Sequence, residues 1–84
     1  MEIEKIVTEL IKNKIESNGF YLDSVKYERD GKLNFLRIII DKEGYITLDD
    51  CAFISKMVSS ILDDNDPISE SYILDVCSKE KESD

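Results

Sequence analysis

The chain has 84 residues, of which 42% are apolar and 36% are charged, and its formal net charge is −8. That length accommodates one domain with one modest hydrophobic core. No segment approaches the roughly 18 consecutive apolar residues of a membrane-spanning helix. The start Met-Glu-Ile-Glu lacks both the basic and the apolar region of a secretory signal. We therefore expect a cytoplasmic protein with no membrane partner.

The negative charge lies in the second half of the chain. Residues 1–42 contain eight Lys or Arg and eight Asp or Glu, whereas residues 43–84 contain three Lys and eleven acidic residues. Binding to phosphates requires a clustered basic surface. The candidate basic residues form a sparse set interrupted by acids: Lys26, Arg29, Lys32, Arg37 and Lys42. We expect weak or no nucleic-acid binding in isolation and a better fit to a basic protein partner, with a merely solvated surface as the alternative.

The first half of the chain predicts a helix followed by two strands. A helix over residues 2–17 has apolar residues at three- and four-residue steps, and Gly19 is placed to close it. A strand over residues 20–29 leads to Asp30-Gly31, which is typical of a tight hairpin. The return strand over residues 33–41 is rich in β-branched isoleucine, which favours a largely buried position.

The second half predicts a helix over residues 48–62 and a strand over residues 71–78. Thr47 is a suitable N-cap, and acidic residues follow it in the first turn, where the helix dipole favours them. Pro67 cannot continue the helix, and the polar residues 79–84 are expected to fray. The inner side of the helix is predicted to contain Leu48, Cys51, Ile54, Val58, Ile61 and Leu62, with Met57 at its margin and Phe53 outside it.

The order α-β-β-α-β predicts an α+β fold, namely a two-layer α/β sandwich in which both helices cover one face of a three-stranded sheet. The first two strands are expected to form an antiparallel hairpin. The position of the third strand, beside the first or beside the second, is left open by the sequence.

Catalysis and ligand binding have little support. The sequence has no histidine and no CxxC pair, and its three glycines are far apart, so we predict no catalytic, cofactor or metal site. Cys51 and Cys77 are expected to be reduced thiols on different elements. The acidic loop after the second helix lacks the glycine and ligand spacing of a calcium loop and is expected to be a solvated helix end. Its acidic residues are Asp63, Asp64, Asp66 and Glu70.

Two apolar patches outside the core are predicted to bind a partner. One lies on the open face of the sheet and the other, one helical turn long, on the exposed side of the second helix. Isolated exposed apolar residues are also common in proteins without a partner, and the open face could instead form a homodimer. The predicted residues are Phe35, Ile39 and Ile73 beside Arg37 on the sheet, and Phe53 and Met57 on the helix.

Four segments give the chain a specific resemblance to a known family. They are GFYLDSVKY at residues 19–27, LRIIIDKEGYITLDDC at residues 36–51, DDNDPI at residues 63–68 and YILDV at residues 72–76. In order and spacing they resemble the N-terminal domain of the bacterial ribosome maturation factor RimP. The resemblance implies a two-layer α/β domain over residues 1–78. It also implies a non-enzymatic role in small-subunit maturation, through contact with ribosomal protein, rRNA or both.

Two departures from that family qualify the resemblance. RimP-like chains continue past the last strand with a Ser-Ser-Pro-Gly-type turn and a C-terminal β-barrel domain. Here residues 77–80 read Cys-Ser-Lys-Glu and the barrel is absent from the 84 residues. The sequence is therefore expected to be a piece of a longer protein, a natural truncation or a stand-alone relative. Phe53 also stands where the family usually has a polar or charged residue.

Overall fold

The computed structural model describes residues 2–79 and has the predicted α-β-β-α-β order and α+β class. The predicted bounds of the first helix and of the return strand agree with the structure. The elements are α1 (Glu2–Ser17), β1 (Tyr21–Asp30), β2 (Leu33–Asp41), α2 (Leu48–Asn65) and β3 (Ile73–Ser78).

The three strands form one mixed sheet in the order β1-β2-β3. β1 and β2 are antiparallel, and the loop between them is Gly31-Lys32, because Asp30 still pairs with Leu33. Gly31 has a φ of +64° at the first loop position, which is the requirement of a type II′ turn. β2 and β3 are parallel. Parallel neighbours need a crossover connection, which α2 provides. Because β2 pairs with both other strands, it is the central strand of the sheet.

Both helices pack on the same face of the sheet and share one core with it. Alternate residues of β2 face the helices, as the period of two in a strand requires. Leu36, Ile38 and Ile40 are therefore completely buried, and no buried side chain among residues 2–79 is polar or charged. The helices contribute Val7, Ile11 and Ile15 from α1 and Ile54, Val58 and Leu62 from α2.

The second helix begins at Leu48 as predicted, but its C-terminal end and the burial of its first residue differ from the prediction. It continues to Asn65, three residues beyond the predicted end, and Asp66 then closes it in the left-handed conformation with φ 44°. The side chain of Asn65 donates to the Ile61 carbonyl at 2.8 Å, which supports the additional turn. Leu48 was predicted on the inner side of the helix but is 89% exposed. The reason is that Leu48 lies at one margin of the helical arc that is centred on the buried residues of α2.

Smaller differences occur at the outer strands. β1 begins and ends one residue later than predicted, and β3 begins at Ile73 rather than near residue 71. The carbonyl of Ser71 instead accepts a hydrogen bond from the Asn34 side chain at 3.1 Å. Lys79, the first residue of the predicted polar tail, donates its backbone N–H to the Ile40 carbonyl at 2.8 Å. Residues 80–84 of that tail lie outside the described residues.

Candidate interaction surface

The face of the sheet opposite the helices is the open face. In β2 it displays the residues that alternate with the buried ones, so Phe35, Arg37 and Ile39 all point to the same side. The pairing register places Ile73 beside Phe35, Asp75 beside Arg37 and Cys77 beside Ile39. The structure therefore brings together the four predicted sheet residues Phe35, Arg37, Ile39 and Ile73 on one surface.

Arg37 occupies the centre of the open face and contacts acidic residues of both neighbouring strands. Its Nη1 lies 3.5 Å from Glu28 Oε2, and its Nε lies 3.6 Å from Asp75 Oδ2. The guanidinium carbon also lies 5.3 Å from the centroid of the Phe35 ring. Because all three charged side chains are about 40–50% exposed, these ion pairs contribute little to stability. A binding partner could therefore replace these ion pairs with its own contacts at a small cost in free energy.

Apolar side chains flank this charged centre on two sides. On the side of the hairpin, half-buried Phe35 lies next to Ile73, which is 44% exposed. On the other side, half-buried Ile39 lies next to Cys77. Burial, followed by the negative charge of Asp75, raises the pKa of the Cys77 thiol. The thiol therefore stays protonated, and a protonated thiol is unreactive. The open face is thus a polar centre between two apolar strips.

The two predicted helix residues do not form one exposed patch. Phe53 is 49% exposed on the outer side of α2. Met57 is half-buried and packs against the core. Its sulfur accepts a hydrogen bond of 3.6 Å from the Asn18 side chain beyond the end of α1. Met57 therefore helps to join the two helices, and Phe53 is the exposed member of this pair.

Residues 10–79 match the family model of the RimP N-terminal domain. The match begins within α1 and runs through every later element, including the three strands that build the open face. The chain belongs to the RimP N-terminal domain family. This confirms the resemblance drawn from the four segments and places the chain among ribosome maturation factors.

Within this RimP N-terminal domain, sequence reasoning missed four exposed apolar residues, the first of which is Tyr21 at the start of β1, 60% exposed. Leu33 is 53% exposed and lies two residues before Phe35 in β2, on the same face of the strand. The alternation of β2 could therefore have identified Leu33 as exposed. Tyr45 and Leu48 are 87% and 89% exposed beside the start of α2. The marginal position of Leu48 on the helical arc could have indicated its exposure, whereas Tyr45 lies in an irregular segment without a periodic pattern.

The turn before α2 is held in place by polar contacts. Thr47 and Asp50 form a capping box, in which each side chain accepts a hydrogen bond from the backbone N–H of the other residue. Lys42 Nζ lies 2.9 Å from Asp50 Oδ2 and 5.4 Å from the centroid of the Phe20 ring. The hydrogen bond from Lys42, followed by that from the Thr47 backbone, lowers the pKa of Asp50. The Asp50 carboxylate therefore has a structural role in positioning the helix.

The described residues show few features of a metal site or of a site for proton transfer. Among residues 2–79 no group of three or more His, Cys, Asp or Glu side chains is placed to hold a metal ion. Desolvation, followed by the 2.8 Å hydrogen bond to Glu70, raises the pKa of Tyr27 to about 12. Such a phenol does not exchange protons near neutral pH. Over the same residues, no helix is both long and apolar enough to cross a membrane.

A shallow depression lies away from the open face, between the end of α2 and the start of β3. It has a volume of about 460 Å³ and is open to solvent. Polar and acidic residues dominate its lining, whereas small-molecule sites are usually enclosed and mostly apolar. The residues that line it are Leu62, Asp63, Asp66, Ile68, Ser69, Glu70, Ser71 and Tyr72.

Proposed function

We propose that this domain is a non-enzymatic binding module that assists maturation of the small ribosomal subunit by contacting a ribosomal protein through its open face. The observation that carries the proposal is the uncovered surface of the sheet, where apolar strips flank Arg37 and no helix among the described residues packs. Membership of the RimP N-terminal domain family supports the ribosomal setting. A fold alone would not define the function, so the proposal rests on this surface.

The charges on the open face favour protein over rRNA as the principal contact. Lys26 and Arg37 are balanced there by Glu28 and Asp75, and the whole chain has a net charge of −8. Phosphate binding needs several basic residues that are not neutralised by neighbours. An acidic domain instead attracts a basic protein, and the apolar strips supply surface that such a partner can bury.

The test is co-sedimentation of the purified chain with small ribosomal subunits, at two salt concentrations. Phe35→Asp and Ile39→Asp introduce a charge into the apolar strips and should abolish co-sedimentation. Phe53→Asp makes the same kind of change at an exposed aromatic on the opposite side of the domain and should leave binding intact. Circular dichroism must show that all three variants are folded. Binding that survives both sheet variants, or is lost only in Phe53→Asp, would refute the proposed surface.

The competing function is self-association through the open face. Arg37 and its acidic neighbours Glu28 and Asp75 could pair with the same residues of a second copy. Sedimentation velocity of the chain alone distinguishes the two functions, because a module that binds the subunit should remain monomeric. A stable dimer that dissociates in Phe35→Asp would mean that the open face is occupied by a second copy rather than by a ribosomal protein.

A further inference from the structure

The two edges of the sheet differ in how their backbone groups are satisfied. In a parallel pair, successive residues of a strand direct their backbone groups alternately toward and away from the neighbour. Lys79 donates its N–H to the Ile40 carbonyl of β2, so every second residue of β3 before Lys79 also directs its backbone groups toward β2. Leu74 and Val76 lie between those residues and direct their backbone groups away from β2. No hydrogen bond within residues 2–79 involves the outward backbone groups of Leu74 or Val76. The edge formed by β3 is therefore open.

The opposite edge, formed by β1, is obstructed by a side chain. Glu4 of α1 reaches this edge, and its Oε2 accepts the backbone N–H of Tyr27 at 2.8 Å. A carboxylate in this position occupies a donor that an incoming strand would need, which is a common protection of sheet edges. The domain thus occupies one donor in the middle of the β1 edge, whereas no side chain within residues 2–79 does so at the β3 edge.

The side chains of β3 also indicate that something can pack beside it. Leu74 and Val76 face the core, as do Leu36 and Ile38, their partners in β2. The β2 residues are completely buried, whereas Leu74 and Val76 are only partly buried. A strand added next to β3 would cover the exposed flank of these two side chains while it satisfied their backbone groups.

Charge determines which strand fits. Asp75 projects from the middle of β3 on the open face, and the chain from residue 43 onward has three Lys and eleven acidic residues. If a second copy added its own β3 antiparallel in a register centred on Leu74, Asp75 or Val76, the two Asp75 side chains would lie opposite or diagonal to each other, which is unfavourable. A basic strand would instead place a cation next to Asp75. The charges therefore favour a basic partner over a second copy.

We propose that the β3 edge accepts an extended, basic segment of another protein as a fourth strand of the sheet. This inference goes beyond the proposed function, because it concerns the backbone groups of an edge and uses only Asp75 among the side chains of the open face. It holds whether or not Phe35 and Ile39 bind a ribosomal protein. The two can be tested separately, since an added strand changes backbone amides that the open-face variants leave in place.

The probe is a capped peptide of about ten residues in which Val and Lys alternate, added to the full chain labelled with ¹⁵N. We expect slower hydrogen exchange at the amides of Leu74 and Val76, and no change at Tyr27. The same peptide with alternate backbone nitrogens methylated on its bonding edge should lose this protection. So should a peptide with Glu in place of Lys. Protection by all three peptides, by none, or at β1 instead would overturn the proposal.

A charge reversal gives an independent check. Asp75→Lys should weaken binding of the Val-Lys peptide about tenfold, while Asp30→Lys, the same change beside the hairpin loop, should leave it unchanged. The dispersion of the ¹⁵N spectrum reports whether each variant is folded. Equal weakening by both variants would mean that net charge, and not the edge, attracts the peptide. Protection of Leu74 and Val76 that rises with protein concentration alone would identify a second copy as the occupant and overturn the proposal.

Discussion

Replacement of Glu4 tests how much the obstructed edge contributes to the fold. Glu4→Ala removes the carboxylate that accepts the Tyr27 N–H at 2.8 Å. A hydrogen bond to a charged group is worth about 1.5–3 kcal/mol when it is shielded. Glu4 is half-buried, so solvent screening reduces the expected loss to about 1 kcal/mol. For a domain of this length that corresponds to a fall in melting temperature of about 4–8 °C.

The pH dependence of that loss follows from the same hydrogen bond. The Tyr27 backbone N–H is the main cause that lowers the pKa of the Glu4 carboxyl in the folded state. A carboxyl with a lowered folded-state pKa stabilises the protein fully above its unfolded-state pKa. This stabilisation is lost as the pH falls through the folded-state pKa. The difference in free energy of unfolding between wild type and Glu4→Ala should therefore be largest near neutral pH and shrink in acid.

Urea denaturation followed by circular dichroism, at neutral and acidic pH, measures both quantities. Glu2→Ala is the matched control, because Glu2 is also an acidic residue in the first turn of α1 but is exposed. It accounts for the interaction of either carboxylate with the helix dipole. If Glu2→Ala cost as much as Glu4→Ala, or if the Glu4→Ala loss did not shrink in acid, the hydrogen bond to Tyr27 would not be the cause of the loss.

Three further changes test other parts of the structure by urea denaturation. Ile38→Ala leaves a cavity at a fully buried position and should cost about 2–5 kcal/mol; a loss below about 1 kcal/mol would contradict a closed core there. Thr47→Ala removes the acceptor 3.1 Å from the Asp50 N–H and should cost about 1 kcal/mol, while an equal loss in Thr47→Ser would exclude the cap as the cause. Arg37→Met breaks only half-exposed ion pairs and should cost less than about 1 kcal/mol, so a larger loss would show Arg37 to be structural.

The parts of the fold that depend on local signals were predictable from the sequence. The apolar stripe of α1 and Gly19, which adopts the expected positive φ of 87°, defined that helix. Alternation in β2 correctly separated the buried residues from Phe35, Arg37 and Ile39. Periodicity works in these elements because each packs one face against a single core.

The parts that depend on tertiary contacts were not predictable. The position of β3 beside β2 results from how the crossover helix packs, and no short-range pattern encodes it. The hydrogen bond from Tyr27 to Glu4 joins residues far apart in the chain. Met57 lies at the margin of the helical arc, and its contact with Asn18 decides that it is half-buried. The burial of a residue at such a margin depends on the neighbouring element, and the sequence alone does not show where that element lies.

The mixed pairing of the sheet has a consequence for how the domain assembles. The β1–β2 hairpin closes over a two-residue loop, so its contacts are local and can form early. The β2–β3 pair joins segments separated by the whole of α2, and such distant pairings form slowly because a long loop must close first. The last strand should therefore dock late during folding. Until it docks, β2 exposes an unpaired row of isoleucine-rich backbone, which makes the half-assembled chain the species most prone to aggregate.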